Sequence, residues 1–306
     1  MTLEQLRIFV AVAEREHVTQ AARDINLTQS ATSSAIAALE ARYQTKLFNR
    51  VGRRIELTDA GRLFLVEARA VLARAAAAEL VLADLAGLKQ GALTLAASQT
   101  IASYWLPSLM RRFRDLFPGI TLNLRIDNTE QVMGWTRGGA AHLGFIEGVA
   151  SDPALAAEPV AEDELVLVVG TDHPWAARAS IEFDEVFDLR WVLRERGSGT
   201  RAMFEAALQS AGLSPERLIV ELELPSNEAV RAAIEAGAGA TVISHLVVAS
   251  SVRAGTLVRI PMALPKRHFL ILRHRERYKT KAEDELLKLI LVAPPHRGLL
   301  AAGGGT

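Results

Sequence analysis

The sequence predicts an α/β protein in three parts: a winged helix-turn-helix at the N-terminus, one long helix, and a larger body of alternating strands and helices. Three observations carry this. Thr19 to Glu40 holds two capped helical patterns split by a short break at Leu27. Asp59 to Leu85 keeps helical periodicity with no proline and a single glycine, Gly61, near its start. From Gly91 onward short apolar runs alternate with amphipathic ones. At 306 residues the chain exceeds a usual single domain. The expected division is 1–58, a linker helix over 59–88, a body over 89–300 and a disordered tail, Ala301 to Thr306, in which nothing can pack.

In the first part, Thr28 is a good N-cap and Gln29, Ser30, Ser33 and Ser34 form one stripe of side chains that both donate and accept hydrogen bonds. Thr32, Ile36, Leu39 and Tyr43 fall on a second stripe with core spacing. A helix anchored by one stripe and polar on the other fits a DNA major groove, although a solvated face would carry the same residues. Lys46 to Thr58 then alternates apolar and polar residues around Val51-Gly52, the pattern of a hairpin with Arg53 and Arg54 at its tip. Such a wing reaches phosphates or a minor groove and adds salt-dependent affinity. Arg50 could serve the same end or pair with a carboxylate such as Glu40.

Several linked stretches resemble one family, the LysR-type transcriptional regulators: Leu3-Glu-Gln-Leu-Arg-Ile-Phe, Thr19-Gln-Ala-Ala, Leu27-Thr-Gln-Ser-Ala-Thr-Ser, Ala37-Ala-Leu-Glu, Leu47-Phe-Asn-Arg and Leu57-Thr-Asp-Ala-Gly61. The resemblance implies a sequence-specific DNA-binding regulator, not an enzyme, that binds double-stranded promoter DNA and works with RNA polymerase. Ser34 and Ala35 stand where the family often has a long basic or amide side chain, so the operator of a relative does not transfer.

Charge argues the other way. The chain is formally neutral, and residues 1–58 hold 8 Lys/Arg against 6 Asp/Glu, a weak footprint for a DNA binder. Binding would then rest on local placement and on dimerisation. The 59–88 helix would expose too much apolar surface alone, and Ala75 to Ala78 allows a second helix to approach closely. A homodimer through this helix is expected, with packing against the C-terminal body as the alternative. The resemblance adds tetramers.

In the body, strands are expected at Ala92 to Ala97, Ile120 to Ile126, Leu143 to Ile146, Glu164 to Gly170, Arg190 to Leu193 and Ala240 to Ile243. Helices are expected over Trp105 to Phe117 and Glu130 to Thr136. This reads as an open parallel sheet, whose ligands bind beyond the C-terminal strand ends. Polar clusters sit there: Ser98, Gln99 and Thr100; Asn128 and Thr129; Glu147; Ser198, Gly199 and Thr200; Ser226 and Asn227. Hydroxyls and free N–H groups at helix starts make anion sites, so a small anionic effector is expected, though each cluster alone could be ordinary capping. The family resemblance implies two Rossmann-like α/β subdomains around a cleft, like periplasmic binding proteins of type 2. Subdomain I would take about 91–162 and 267–295, and subdomain II about 163–266. The chain would cross near Glu162 to Glu164 and Leu264 to Arg267. The Arg194 to Arg201 and Pro225 to Val230 stretches resemble the branch of sulfur-assimilation, sulfite-response and carbon-fixation regulators.

Other chemistry finds little support. The chain has no cysteine, so no disulfide or thiolate metal site, and it lacks the His-Glu-x-x-His, Gly-x-Ser-x-Gly and Gly-x-x-x-x-Gly-Lys motifs. No cofactor or metal is expected. The N-terminus starts as an amphipathic helix rather than a signal peptide, and no apolar run approaches membrane-spanning length, so the expectation is a cytoplasmic, nucleoid-associated protein with no membrane partner. The alternative reading is a small-molecule-binding or catalytic α/β protein whose N-terminal helical domain serves only interaction.

Overall fold

The computed structural model describes residues 1–51, 54–85 and 91–292. The chain divides into two compact units, Met1–Leu85 and the α/β body that begins at Ala86.

The first unit runs α1 (Leu3–Arg15), α2 (Val18–Asp24), α3 (Gln29–Tyr43), β1 (Phe48–Val51), β2 (Arg54–Leu57) and α4 (Asp59–Leu85). Thr2 opens α1 with a reciprocal capping box to Gln5, and Thr28 caps α3 through Ala31 N–H. Asn26 adopts φ 56° in the turn between α2 and α3, a left-handed conformation that Asn tolerates well. The core gathers Leu6, Phe9, Ala13, Leu39, Leu47 and Ala68, with the Phe9 ring against those of Phe48 and Phe64. Tyr43 does not join it. It is 53% exposed, because α3 overshoots the core there and Leu47 closes it instead. Antiparallel pairing of Phe48 with Leu57 and Val51 with Arg54 forms the expected hairpin. The tip residues Gly52 and Arg53 lie outside the described residues, as does the Arg54 side chain. Gly61 lets α4 approach closely: a Cβ there would meet the Leu47 carbonyl oxygen at 2.2 Å.

The second unit runs β3 (Gly91–Ser98), α5 (Gln99–Tyr104), α6 (Leu106–Leu116), β4 (Ile120–Asp127), α7 (Thr129–Gly138), β5 (Leu143–Glu147) and β6 (Leu155–Gly170). It continues through β7 (Arg190–Arg194), α8 (Gly199–Ser210), β8 (Ile219–Leu224), α9 (Asn227–Glu235), β9 (Ala240–Ser244), α10 (His245–Ala254), β10 (Leu257–Ile260), β11 (Lys266–His274) and α11 (Lys281–Val292). The helix expected over Trp105 to Phe117 is α6, with Pro107 in its first turn, and a further short helix, α5, precedes it.

Strand order is β4-β3-β5-β11-β6-β9-β7-β8, with β10 beside β6. The flanks β4-β3-β5 and β8-β7-β9 are parallel, as the βα alternation requires. The centre is not parallel. Strand β11 runs antiparallel to β5 and β6, and β6 antiparallel to β9, because these long strands carry the chain from one flank to the other. The first half of β6, Leu155 to Glu164, pairs with β11; its second half, Leu165 to Val169, pairs with β9. One core packs around Phe113, Phe145 and Phe269, another around Trp191, Phe204 and Leu208.

Candidate functional site

On α3, Thr28, Gln29, Ser30 and Ser34 are exposed and Ser33 is half-buried. Gln29 Nε2 donates to Ser33 Oγ at 3.1 Å, and the Thr28 and Ser30 hydroxyls lie 3.1 Å apart. The first turn of α3 holds no acid, so its N-terminal dipole is free to meet a phosphate. Thr32 turns inward and donates to the Thr28 carbonyl at 3.0 Å. The side chain of Arg50 lies outside the described residues, and Glu40 stands near the end of α3. Its carboxylate accepts Leu47 N–H at 2.8 Å, Phe48 N–H at 3.1 Å and Lys46 Nζ at 2.9 Å, tying the end of α3 to the start of the wing. Burial pushes this carboxyl upward, but the Lys46 ammonium and the two N–H donors outweigh it and hold the group below the ordinary carboxylate value.

In the α/β unit the polar clusters come together. Ser98, Thr100, Thr129, Glu147, Ser198, Gly199, Thr200 and Asn227 are all buried; Gln99, Asn128 and Ser226 are partly so. Gln99 and Thr100 at the start of α5 grip the start of α9. Gln99 Nε2 donates to the Pro225 carbonyl at 2.8 Å and its Oε1 accepts Asn227 N–H at 2.9 Å, while Asn227 Nδ2 donates to Thr100 Oγ1 at 3.0 Å. Tyr104 adds a bond to Glu228 at 2.5 Å; burial and that carboxylate push its phenol up to about 12.

The opposite wall is closed by the turn before α8. Glu130 N–H donates to the Gly197 carbonyl at 3.2 Å. Gly199 has no room for a side chain: a Cβ would meet the Glu147 carbonyl oxygen at 2.5 Å and Thr129 Oγ1 at 2.6 Å. Asn128 accepts Gln131 N–H and also bonds Glu195. Ser226 accepts Ala229 N–H at 3.4 Å, the work of an ordinary cap.

Charged residues form the floor. Arg267 is completely buried, donates through Nε to Asp163 Oδ2 at 2.7 Å and through Nη1 to Thr200 Oγ1 at 3.0 Å. Its Nη2 lies 2.6 Å from Asp163, off the line of a hydrogen bond. Asp163 also accepts from Ser244 Oγ at 2.9 Å. Glu147 takes a short hydrogen bond from Ser98 and sits 3.9 Å from Arg267 Nη1. Arg194 forks onto Glu195 and reaches Asn227. The Thr129 hydroxyl, buried beside Gly199 and Glu147, has no hydrogen-bond partner.

Hydrogen bonds and close contacts thus bring the strand-end clusters together. Sequence reading missed Arg267 and Asp163, which it took only as crossing points. A signal existed: Arg267 alternates with the inward-facing Phe269 and Ile271 along β11, and an inward charge in an apolar strand face needs a reason.

Residues 3–62 match the model of the bacterial regulatory helix-turn-helix protein, lysR family, and residues 86–293 match the LysR substrate binding domain. The chain belongs to the LysR family. This LysR-type protein is 34% identical over 286 residues to the probable RuBisCO transcriptional regulator of Cyanidioschyzon merolae, covering 92% of this chain and 94% of that one. It is 33% identical to the uncharacterized HTH-type transcriptional regulator YeiE of Escherichia coli strain K12, with coverage of 92% and 94%. Among solved structures, the CcmR regulatory domain of Synechocystis PCC6803 in complex with 2-PG aligns with a TM-score of 0.60 at 26% identity, over 66% of this chain and 96% of that one. Full-length CbnR with its target DNA shares the fold, with a TM-score of 0.67 at 23% identity over 95% and 99%. The protein is therefore a DNA-binding transcriptional regulator with an effector-binding domain, from the branch that contains carbon-fixation regulators, and not an enzyme. Among the described residues no helix is long and apolar enough to cross a membrane.

Proposed function

We propose that this regulator reads operator DNA with Thr28, Gln29, Ser30, Ser33 and Ser34, holds flanking phosphates with Arg53 and Arg54, and responds to a small anionic effector in the cleft between its two α/β subdomains. The observation that carries the effector reading is the convergence of hydroxyls and amides from four strand ends and the Glu147 carboxylate from a fifth, mostly buried, with the Thr129 hydroxyl left unpaired. Buried polar groups are almost always satisfied, so an unpaired one at a cleft wall favours a guest. The 2-PG bound by CcmR makes that compound a first candidate.

The active unit is a homodimer joined along α4, on which Leu63 and Leu82 are 74% and 69% exposed. Pairs of dimers form tetramers. The protein acts in the cytoplasm at the nucleoid, where the promoter-bound form meets RNA polymerase. An effector that fits one cleft geometry better than another changes the spacing of the two reading heads. Fluorescence anisotropy of the full chain on DNA upstream of its own gene and of the neighbouring divergent gene, over a salt series with and without 2-PG and inorganic anions, tests this. Selective, salt-sensitive binding that an anion alters is expected. Equal binding to unrelated DNA overturns the DNA reading; selective binding indifferent to every anion overturns the effector reading.

A further inference from the structure

We infer that Glu147 makes the cleft selective for anions that bring a hydrogen-bond donor of their own; this rests on the anionic-effector reading above. The cleft floor is not a simple cation trap. Three carboxylates, Glu147, Asp163 and Glu195, share it with two guanidiniums, Arg194 and Arg267. Both guanidiniums are already engaged: Arg194 forks onto Glu195, and Arg267 onto Asp163 and Thr200. Arg267 Nη2 has no hydrogen-bond partner but lies 2.6 Å from Asp163, so an incoming anion meets a positive charge that a carboxylate already faces.

Glu147 is the carboxylate left over. It is 2% exposed, its Oε2 accepts from Ser98, and Arg267 Nη1 stands 3.9 Å from its Oε1, beyond hydrogen-bond distance. Ionised, it is acceptor-only, with lone pairs to spare. Beside it stand the unpaired Thr129 hydroxyl and the buried Ser198 and Thr200, which are able to donate to a guest. A guest that is itself acceptor-only places its oxygens against Glu147 with nothing between them, which costs repulsion and leaves the carboxylate unsatisfied. A guest with a hydroxyl, an ammonium or a retained acidic proton turns that contact into a charge-assisted hydrogen bond. The ligand class is thus a hydroxylated, amino-bearing or partly protonated small anion. Fully deprotonated oxyanions are rejected, a discrimination of the kind in which a site built for a donor penalises the analogue lacking it.

The test compares inorganic phosphate, which keeps a proton at mildly acidic pH, with sulfate, which has none, at matched ionic strength. Calorimetric titration of the full-length protein gives the affinities, and the melting transition without anion reports folding. The wild type is expected to favour phosphate by about tenfold or more. In Glu147→Gln the amide can donate to either anion, so the preference should shrink to about twofold, mainly by a gain for sulfate. Glu147→Ala serves if the glutamine variant does not fold. Thr129→Val should weaken both anions, and unchanged binding there would place the anions elsewhere and overturn the inference. A wild type that takes sulfate as well as phosphate, or a Glu147→Gln variant that keeps the preference, also overturns it while leaving the anionic-effector reading intact. If neither anion nor 2-PG binds wild type or variant, the anionic reading fails, and this inference with it.

Discussion

Gln99 and Asn227 stand 128 positions apart in the chain, yet the Gln99 side-chain oxygen accepts the Asn227 backbone N–H at 2.9 Å. Because the Gln99 amide also donates to the Pro225 carbonyl, one side chain satisfies both a free donor and a free acceptor at the start of α9. Gln99→Ala removes both bonds. It is expected to lower the unfolding free energy of the α/β unit by about 1–3 kcal/mol and to widen the cleft. Urea unfolding reads the first effect, and small-angle scattering of the effector unit reads the second; an unchanged midpoint would show that the contact is incidental.

The Arg267–Asp163 pair should behave as a buried ion pair does. Arg267→Met strands Asp163 in a dry environment and is expected to cost about 3–5 kcal/mol. The double variant Asp163→Asn, Arg267→Met should recover much of that, since no lone charge remains. Chemical denaturation of the two variants checks it. Equal losses in both would mean that packing, not charge, holds this floor.

Glu40 gives the first unit an acid-sensitive joint. Its carboxyl lies below the usual 4.5 in the fold, so the folded protein binds fewer protons than the unfolded chain. The stabilisation is complete above 4.5 and is lost as pH falls through that value toward the lowered one. Glu40→Gln should cost about 1–3 kcal/mol at neutral pH and flatten the acid limb of the melting curve. DNA affinity should fall as well, because the carboxylate ties α3 to the first wing strand through Leu47 and Phe48 N–H.

What could be read from the sequence, and what could not, follows the range of the interactions. Thr28 capping α3 and Thr2 with Gln5 capping α1 are local devices, visible within four residues of chain. The parallel flanks of the sheet were legible for a similar reason, since each strand is followed by its own helix. The antiparallel centre was not, because β6 and β11 pair across 104 positions at Arg267 and Asp163 and no local pattern encodes that match. Tyr43 was misplaced by extending a helical stripe one turn past the point where the core ends. The polar clusters at the strand ends could be listed from the sequence, but the contacts of Thr200 and Glu147 with Arg267 required the fold.

His142 offers a pH test inside the α/β unit. Burial, foremost, pushes this imidazole below its ordinary value, and its Nδ1 accepts Thr94 N–H at 2.9 Å on β3. A proton on Nδ1 would give up the Thr94 N–H and turn to the Thr94 carbonyl at 3.3 Å, a bond that favours the charged ring but does not outweigh the cost of burying it. A lowered folded value means that the neutral ring stabilises the fold above 6.5 and that this contribution fades as pH drops through the folded value. His142→Asn, whose amide oxygen can accept the same N–H, should leave stability at acidic pH higher than the wild type relative to neutral pH. Melting curves across that range decide it, and parallel curves for the two proteins would remove His142 from any role in acid sensitivity.

On α4, Leu63, Val66, Val71 and Leu82 are exposed at 74%, 63%, 42% and 69%, more apolar surface than an isolated helix keeps in water. Leu63→Asp with Val66→Asp places charge in the face assigned to the partner helix. Both side chains are already solvent-facing within one protomer, so the fold of the monomer should change little. Sedimentation should show a shift from dimer toward monomer, and DNA affinity should fall steeply because each head then binds its half-site alone. A double variant that stays dimeric would place the subunit contact elsewhere and remove α4 as the element that couples the two reading heads.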